Sequence, residues 1–325
     1  MTHPYEALTP DLMLEAVANA GLVPDGHLLA LNSYENRVLQ IGIDGQAPMI
    51  GKFYRPERWS DAAILEEHAL AAELAAQEIP VVAPWSDPHG QTLLHHEGFR
   101  LALFPRRGGR APEPGDLDQL EWIGRFIGRI HLVGGSRPFS ARPAIGVGDM
   151  GWPARDAVLD SPLLPLHLHE TYAAVSRQLL ESIAGRLGQD RAAWIRVHGD
   201  CHHGNILWTD AGPHFVDLDD CRTGPAIQDL WMLLNGDRNE QAIQLSAMLE
   251  GYSLFHDLDP RELELIESLR GLRMLHYSGW LARRWTDPAF PAAFPWVESE
   301  HYWSQHVEDL RQQLIALDAP PLPLY

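Results

Sequence analysis

The feature that most constrains the fold is the order of the predicted elements: strands come first and helices afterwards. Residues 1–104 contain mainly short extended runs, residues 105–115 are rich in proline and glycine, and residues 116–325 show mostly helical apolar spacing. A doubly wound parallel sheet requires strands and helices to alternate, so this order excludes it. We predict an α+β chain with a small antiparallel β-sheet lobe at 1–104, a hinge at 105–115 and a larger, mainly helical lobe at 116–325.

The first lobe is predicted to hold a five-stranded sheet, because five extended runs are bounded by turn residues. The strands are expected at residues 28–31, 38–43, around 52, 91–94 and 99–104. The last two form a hairpin around Glu97-Gly98. Thr9 followed by Pro10 starts a helix before the sheet, and Ser60 caps a second helix that runs to about Gln77.

The segment from Val197 to Asp220 concentrates the side chains suited to chemistry. Short apolar runs on either side of the turn Asp210-Ala211-Gly212 predict a hairpin, with its second strand beginning at Phe215-Val216. That hairpin is expected to hold Asp200, Asn205 and Asp217 close together on the loops at its edges. Two carboxylates and an amide are hard oxygen donors, which suits a magnesium ion that keeps part of its water shell and shares phosphate oxygens.

Asp200 lies five positions before Asn205, the spacing between base and metal ligand in a kinase catalytic loop. We therefore predict phosphoryl transfer from ATP, with Asp200 and Asp217 as catalytic residues: Asp200 accepts the proton of the attacking hydroxyl, and Asn205 and Asp217 hold Mg²⁺. Each residue taken singly could instead cap a turn. A zinc site around Cys201 and its neighbouring histidines is a further alternative, disfavoured because Cys221, the only other cysteine, stands alone.

Lys52 is the only lysine in the chain, and every other cation among the 25 is arginine. An ammonium is a compact charge that fits between phosphates where a planar guanidinium does not. Its surroundings predict a strand, where kinases also carry their phosphate-pairing lysine. Glu66 and Glu67 on the following helix are candidate partners. Glu67 is preferred because it lies seven residues before Leu74 on one helical stripe.

Two further segments are predicted to contact the nucleotide. The connection from Asn32 to Asn36 is not glycine-rich, but its polar groups can donate hydrogen bonds, and Ser33 is the preferred phosphate contact. An ordinary polar hairpin turn is an equal alternative there. Backbone groups from Leu103 to Pro105 are expected to bond the adenine ring.

The charge composition restricts the possible partners. Lys plus Arg is 25 and Asp plus Glu is 44, which gives a net charge of -19. Such a surface repels nucleic acid and anionic membrane, and no apolar run reaches the length of a membrane span. The first residues show neither a basic start nor an apolar stretch, which argues against a secretory signal. Two distant cysteines supply no disulfide framework, which fits a reducing cytoplasm. We also expect a monomer.

Two motifs resemble those of a known family. Val197-His-Gly-Asp-Cys-His-His-Gly-Asn205 and Phe215-Val-Asp-Leu-Asp-Asp220 are similar to the catalytic motifs of the aminoglycoside phosphotransferase and choline kinase group. Longer stretches, among them Lys52-Phe-Tyr-Arg-Pro-Glu-Arg-Trp59, resemble bacterial Ser/Thr protein kinases of that group over nearly the whole chain. The resemblance implies a protein-kinase-like bilobal fold with ATP between the lobes, Mg²⁺, and a role in a stress response. It also implies that Asp229 braces the catalytic loop.

The phospho-acceptor stays open between two classes. No Ala-Pro-Glu motif follows Asp217, and residues 221–227 are too few for a long activation segment, which favours a small hydroxylated acceptor such as an aminoglycoside, choline, homoserine or a sugar. The resemblance favours Ser/Thr hydroxyls of protein, and we give it more weight. Aromatic residues between Trp280 and Trp296 indicate either core or the wall of an acceptor groove. A non-catalytic nucleotide sensor is disfavoured because base, metal ligands and lysine are all present.

Overall fold

The computed structural model describes residues 4–188 and 193–325. Backbone contacts group them into two compact units. The first unit contains the described residues up to Glu113 together with Phe139–Arg142 and His202–Cys221, and the second contains the other described residues. The division into lobes at 1–104 and 116–325 stays a prediction. That prediction did not include the two later segments, Phe139–Arg142 and His202–Cys221, that belong to the first unit.

The strands of the described residues form one large sheet and two short pairs. In chain order they are β1 (Pro24–Ala30), β2 (Arg37–Ile43), β3 (Met49–Phe53), β4 (Leu94–His96), β5 (Phe99–Pro105), β6 (Ile195–Val197), β7 (Ile206–Thr209), β8 (Gly212–Phe215) and β9 (Arg222–Gly224). The first five form the predicted antiparallel sheet in the order β1-β2-β3-β5-β4, so β3 is central. Glu97 and Gly98 have φ of 45° and 81°, the two positive values that a tight hairpin turn of matching twist requires.

The helices follow the predicted order. They are α1 (Pro10–Asn19), α2 (Asp61–Ala76), α3 (Leu117–Gly134), α4 (Trp152–Leu159), α5 (His169–Leu187), α6 (Gln228–Trp231), α7 (Arg238–Tyr252), α8 (Ile266–Arg284), α9 (Ala289–Ala293) and α10 (Glu300–Ala316). Thr9 and Ser60 cap α1 and α2 with their hydroxyls, as predicted. Among the described helices, none combines the length and the apolar character needed to cross a bilayer.

The core of the first unit lies on both faces of the sheet. Val17 of α1 packs in one cluster with Ile41 and Phe53, whereas Ile64 of α2 packs in another with Ala102. Successive side chains of a strand point to opposite faces. The two helices therefore cover opposite sides of the sheet, and the face beneath α2 is the one that carries the site.

Several elements differ from their predicted extents, among them β4, which covers Leu94–His96 where the strand was expected at 91–94. The second strand of the β7–β8 hairpin ends at Phe215 instead of beginning there. The turn is tight, because Gly212, with φ of 100°, already pairs with Thr209. The apolar run from Ile227 to Leu234 predicts a helix of that length, but α6 has four residues and stops at Trp231, since the chain turns before Gly236, whose φ is 79°. Local apolar spacing does not reveal either stop.

In the second unit, α3 and α7 pack closely through glycine. A Cβ on Gly124 would lie 2.0 Å from the Met248 carbonyl oxygen, and one on Gly251 would lie 2.1 Å from that of Glu121. Among the aromatic residues between Trp280 and Trp296, Phe290 is fully buried and packs on Trp280 with ring centroids 4.8 Å apart, whereas Trp296 is exposed. These contacts pack the helices of the second unit together.

Candidate active site

Lys52 lies on the central strand of the sheet. In β3 it is opposite Val38 of β2 and Ala102 of β5. Its neighbour Phe53 belongs to the core beneath α1, so the alternation of the strand directs Lys52 to the face covered by α2. The residue is only 6% exposed. The predicted strand position of the lone amine is confirmed.

Three carboxylates surround the amine. Lys52 Nζ lies 3.0 Å from Asp217 Oδ1, 3.1 Å from Asp219 Oδ1 and 3.4 Å from Glu67 Oε1. Burial by itself would lower the pKa of Lys52, but these three negative charges outweigh it and hold the pKa well above its ordinary value. The group is therefore a cation at physiological pH.

The preference for Glu67 over Glu66 as partner of Lys52 agrees with the geometry. Glu67 is buried and uses Oε1 for the amine, while its Oε2 accepts a hydrogen bond of 2.9 Å from Arg142. Glu66 points elsewhere and accepts the backbone N–H groups of residues 140–142. Two adjacent residues on one helix are turned about 100° apart, so only one of them can face the sheet.

Asp219 is a site residue that the sequence reasoning missed. It is 3% exposed, accepts a hydrogen bond of 3.1 Å from Asn36 Nδ2, and pairs with the Arg58 guanidinium as well as with Lys52. Burial by itself would raise the pKa of Asp219, but Arg58 and Lys52 more than offset this and lower it. The available signal was its position two residues after Asp217, in a run of three acids over four residues.

Asn205 and Asp217 are brought together by the hairpin register. Ile206 pairs with Phe215, and one step further out the Val216 N–H donates to the Asn205 carbonyl at 3.0 Å. Asp217 follows directly, with φ of 60° in the left-handed region and with its side chain 53% exposed. Non-glycine residues in this conformation are uncommon and concentrate at functional sites. The hairpin thus presents an amide and a half-exposed carboxylate at its open end.

The connection between β1 and β2 is held in place by its neighbours. The Arg55 backbone N–H donates to Asn36 Oδ1 at 3.0 Å, and its guanidinium donates to the carbonyls of Glu35 and Tyr34. The Asn36 side chain therefore has a structural role, because it hydrogen-bonds to Arg55 and Asp219. Ser33 is partly exposed. Ser33 stays a predicted phosphate contact.

The predicted adenine-binding residues lie at the end of β5. Leu103 is buried, and its carbonyl accepts a hydrogen bond of 2.6 Å from the Trp85 N–H. Pro105 is the exposed last residue of the strand and has no N–H group to donate. Both adenine contacts stay predictions.

Asp200 belongs to the second unit, where buried groups brace its loop. The fully buried Asp229 accepts the His198 N–H at 2.6 Å and the Gly199 N–H at 2.8 Å. His131 Nε2 lies 3.0 Å from the same Asp229 carboxylate. The brace implied for Asp229 is therefore present, and His131 is a packed structural histidine.

One cation contacts the proposed base directly. Arg273 Nη1 on α8 donates to Asp200 Oδ1 at 2.5 Å. Nothing in the sequence separated Arg273 from the other arginines of α8. Beside it, burial raises the pKa of the Cys201 thiol. His202 uses Nδ1 to accept the Gly204 N–H at 2.9 Å and so helps to shape the loop.

A buried strand lysine paired with a helix glutamate is a feature of kinases, and so is an Asp five residues before an Asn in a catalytic loop. The profile of the phosphotransferase enzyme family matches residues 27–272, and the chain belongs to that family. The resemblance proposed from the motifs is confirmed.

Two relatives are similar over almost their whole length. Stress response kinase A of Escherichia coli strain K12 is 45% identical over 320 residues, which cover 98% of this chain and 97% of that protein. The protein named serine/threonine protein kinase RdoA of Salmonella typhimurium is 46% identical with the same coverage.

A solved structure confirms the predicted fold class. The complex of amicoumacin kinase hAmiN with AMP-PNP, Ca²⁺ and Ami superimposes with a TM-score of 0.73. The alignment covers 96% of this chain and 95% of that one, at 20% identity. At that identity the likeness establishes the fold and nothing finer.

Proposed function

We propose that this protein is an ATP-dependent kinase that transfers the γ-phosphate to Ser/Thr hydroxyls of protein in a stress response. The family membership and the 45% identity to stress response kinase A over 98% of the chain support it. Further support comes from the net charge of -19, which disfavours nucleic acid and anionic membranes as partners. We propose a monomer that acts in the cytoplasm, in keeping with the two free, buried cysteines.

The observation that carries the proposal is the setting of the only amine in the chain. Lys52 is buried on the central strand, held by Glu67 at 3.4 Å and adjacent to Asp217 at 3.0 Å. In kinases a strand lysine paired with a helix glutamate binds the nucleotide phosphates. We assign this role to Lys52 and Glu67. Asp200 then accepts the proton of the acceptor hydroxyl as the hydroxyl oxygen attacks phosphorus.

The residues at the open end of the hairpin fit a magnesium ion. Asn205 and Asp217 offer hard oxygen ligands, and the Asp217 side chain is half exposed. Magnesium usually takes one or two protein oxygens and completes its shell with water and phosphate. Asn205 and Asp217 would hold Mg²⁺, which supplies positive charge between the terminal phosphates. Ser33, Leu103 and Pro105 complete the proposed nucleotide contacts.

A small hydroxylated acceptor is the second candidate, and one observation favours it. Helix α6 begins at Gln228, only eleven residues after Asp217, and the short strand β9 takes up part of this interval. Protein kinases with a long activation segment use that segment in positioning the catalytic parts. The short connection therefore favours a site that admits a sugar, an aminoglycoside or an aminoalcohol.

Transfer of radiolabelled phosphate from ATP separates the two candidates. We expect label on general protein substrates that carry Ser and Thr, and none on a panel of choline, homoserine, sugars and aminoglycosides. Label on small acceptors alone would remove the protein-kinase assignment. Absence of label on every acceptor, with intact ATP binding, would remove phosphoryl transfer itself.

A further inference from the structure

A short piece of chain that belongs to the first unit is held by helix α2. The backbone N–H groups of Ser140, Ala141 and Arg142 donate to the Glu66 carboxylate at 2.7, 2.9 and 2.9 Å. Three successive N–H groups that converge on one carboxylate form a strong anion-binding arrangement. The segment Phe139–Arg142 is thereby fixed against the helix that carries Glu67.

The side chain of Arg142 continues inward from that segment. It is fully buried and donates from Nη2 to Glu67 Oε2 at 2.9 Å and from Nε to the Ala63 carbonyl at 2.8 Å. Its Nη1 donates to the carbonyls of Asp219 and Cys221 at 2.6 and 3.1 Å. One guanidinium therefore joins α2 to the stretch of chain that follows Asp217. The planar, five-donor fork of arginine is what permits this, because a lysine could reach only part of the set.

Glu67 stands between two cations. Its Oε1 faces Lys52 and its Oε2 faces Arg142, so the orientation of the carboxylate toward the amine depends on both. The Asp219 carbonyl that binds Arg142 belongs to the same residue whose carboxylate contacts Lys52. Loss of the guanidinium would release Glu67 and the Asp219 backbone at once.

We propose that Arg142 is a positioning residue for the Lys52 amine, acting through Glu67, and that Glu66 serves to hold the segment that carries Arg142. The inference rests on the proposed role of Lys52 in binding the ATP phosphates. The orientation of that amine would then depend partly on a segment whose Arg142 lies 75 residues after Glu67 in sequence. The irregular, proline-rich stretch after α3 supplies this segment.

The test compares Arg142→Gln, Arg142→Lys, Glu66→Gln, Glu67→Gln and the double variant of residues 67 and 142. Arg311→Gln is the control, since it removes the same group from an exposed ion pair with Glu308. Calorimetric titration with ATP gives the Kd without any acceptor, and radiolabel transfer gives KM and kcat. We expect Arg142→Gln to weaken ATP binding by roughly 10–100-fold, as when the partner that orients a ligating group is lost. Arg142→Lys and Glu66→Gln should fall between it and the wild type.

The double variant decides the mechanism. If Arg142 acts through Glu67, the double variant binds ATP no more weakly than Glu67→Gln alone. The proposal would be overturned if the loss of ATP affinity in the double variant equalled the product of the losses in the two single variants. It would also be overturned if Arg142→Gln lowered the Tm but kept the wild-type Kd, KM and kcat. Should Arg142→Gln fail to fold, Arg142→Lys carries the same comparison in the Glu67→Gln background. ATP binding and phosphate transfer are measured separately. A wild-type protein that binds ATP but labels no acceptor would refute the proposed function, and the Kd values would still decide this inference.

Discussion

Replacing Lys52 by methionine removes one charge from a buried cluster and keeps a side chain of similar length. The ammonium lies within 3.4 Å of three carboxylates and is 6% exposed. After the substitution, Asp219 keeps its ion pair with Arg58 and Glu67 keeps its ion pair with Arg142, whereas Asp217 loses the ion pair that it makes with Lys52. The folded protein would then hold one negative charge more than its local partners balance.

The expected loss of stability follows from that imbalance. Breaking a buried ion pair by removing one partner costs about 3–5 kcal/mol. Because the Asp217 side chain is 53% exposed and can turn toward water, we expect the lower end, a decrease of about 3 kcal/mol in the free energy of unfolding near neutral pH.

The deficit should also depend on pH, with a definite sign. The pKa of Lys52 is raised in the folded state, so its contribution is complete below the unfolded pKa and is lost only as pH rises through the folded one. Near neutral pH, Lys52 therefore contributes nothing to the change of the free energy of unfolding with pH in the wild type. In the variant a proton can replace the missing cation, so the folded state binds more protons than the unfolded state and gains stability as pH falls. The difference from wild type should shrink toward about pH 5.

Urea denaturation followed by tryptophan fluorescence at about pH 8 and about pH 5.5 measures both effects. A difference below about 1 kcal/mol at the higher pH, or one that does not shrink at the lower pH, would refute the charge-balance reasoning. If Lys52 contacts the ATP phosphates as proposed, turnover should also fall about 10²–10³-fold, the usual loss for one charge-stabilising donor.

Further predictions concern the catalytic loop and the helical core. Asp200→Ala should abolish phosphoryl transfer while the calorimetric Kd for ATP stays within about twofold, and unchanged turnover would mean that the base is another group. Arg273→Gln should lower kcat about 10–100-fold with little change in the KM for ATP, because Arg273 orients Asp200; a higher kcat would mean that it obstructs the base instead. Gly124→Ala should lower the free energy of unfolding by at least about 1–3 kcal/mol, since its Cβ would meet the Met248 carbonyl. The control Gly185→Ala has open space around it and should stabilise the protein by up to about 1 kcal/mol, so equal losses in urea denaturation would contradict the packing argument.

Much of the fold was predictable because its signals are local. The Glu97-Gly98 turn, the hydroxyl cap of Ser60 and the length of α5 all follow from residues within a few positions of each other. The errors fall where an element stops for reasons outside its own pattern. Helix α6 ends before its apolar run does, and the second strand of the hairpin ends where it was expected to begin.

The candidate site shows the same division. Helical periodicity was sufficient to choose Glu67 over Glu66, because both lie on one regular element. No comparable rule relates Lys52 to Asp219 or Arg142, which come from distant parts of the chain. Arg142 in particular lies in a stretch without regular periodicity, and its contacts are mostly to backbone carbonyls, which leave no pattern in the side chains.

The sequence by itself determined the chemical groups available: one amine, an Asp and an Asn at catalytic-loop spacing, and strand and helix signals in an order that allows only a few folds. The tertiary structure decided which carboxylates meet the amine and which arginines balance them. The physical reason is range: turn and helix preferences depend on neighbouring residues, whereas a distance between Lys52 and Asp219 depends on how separate elements pack together and bury their charges.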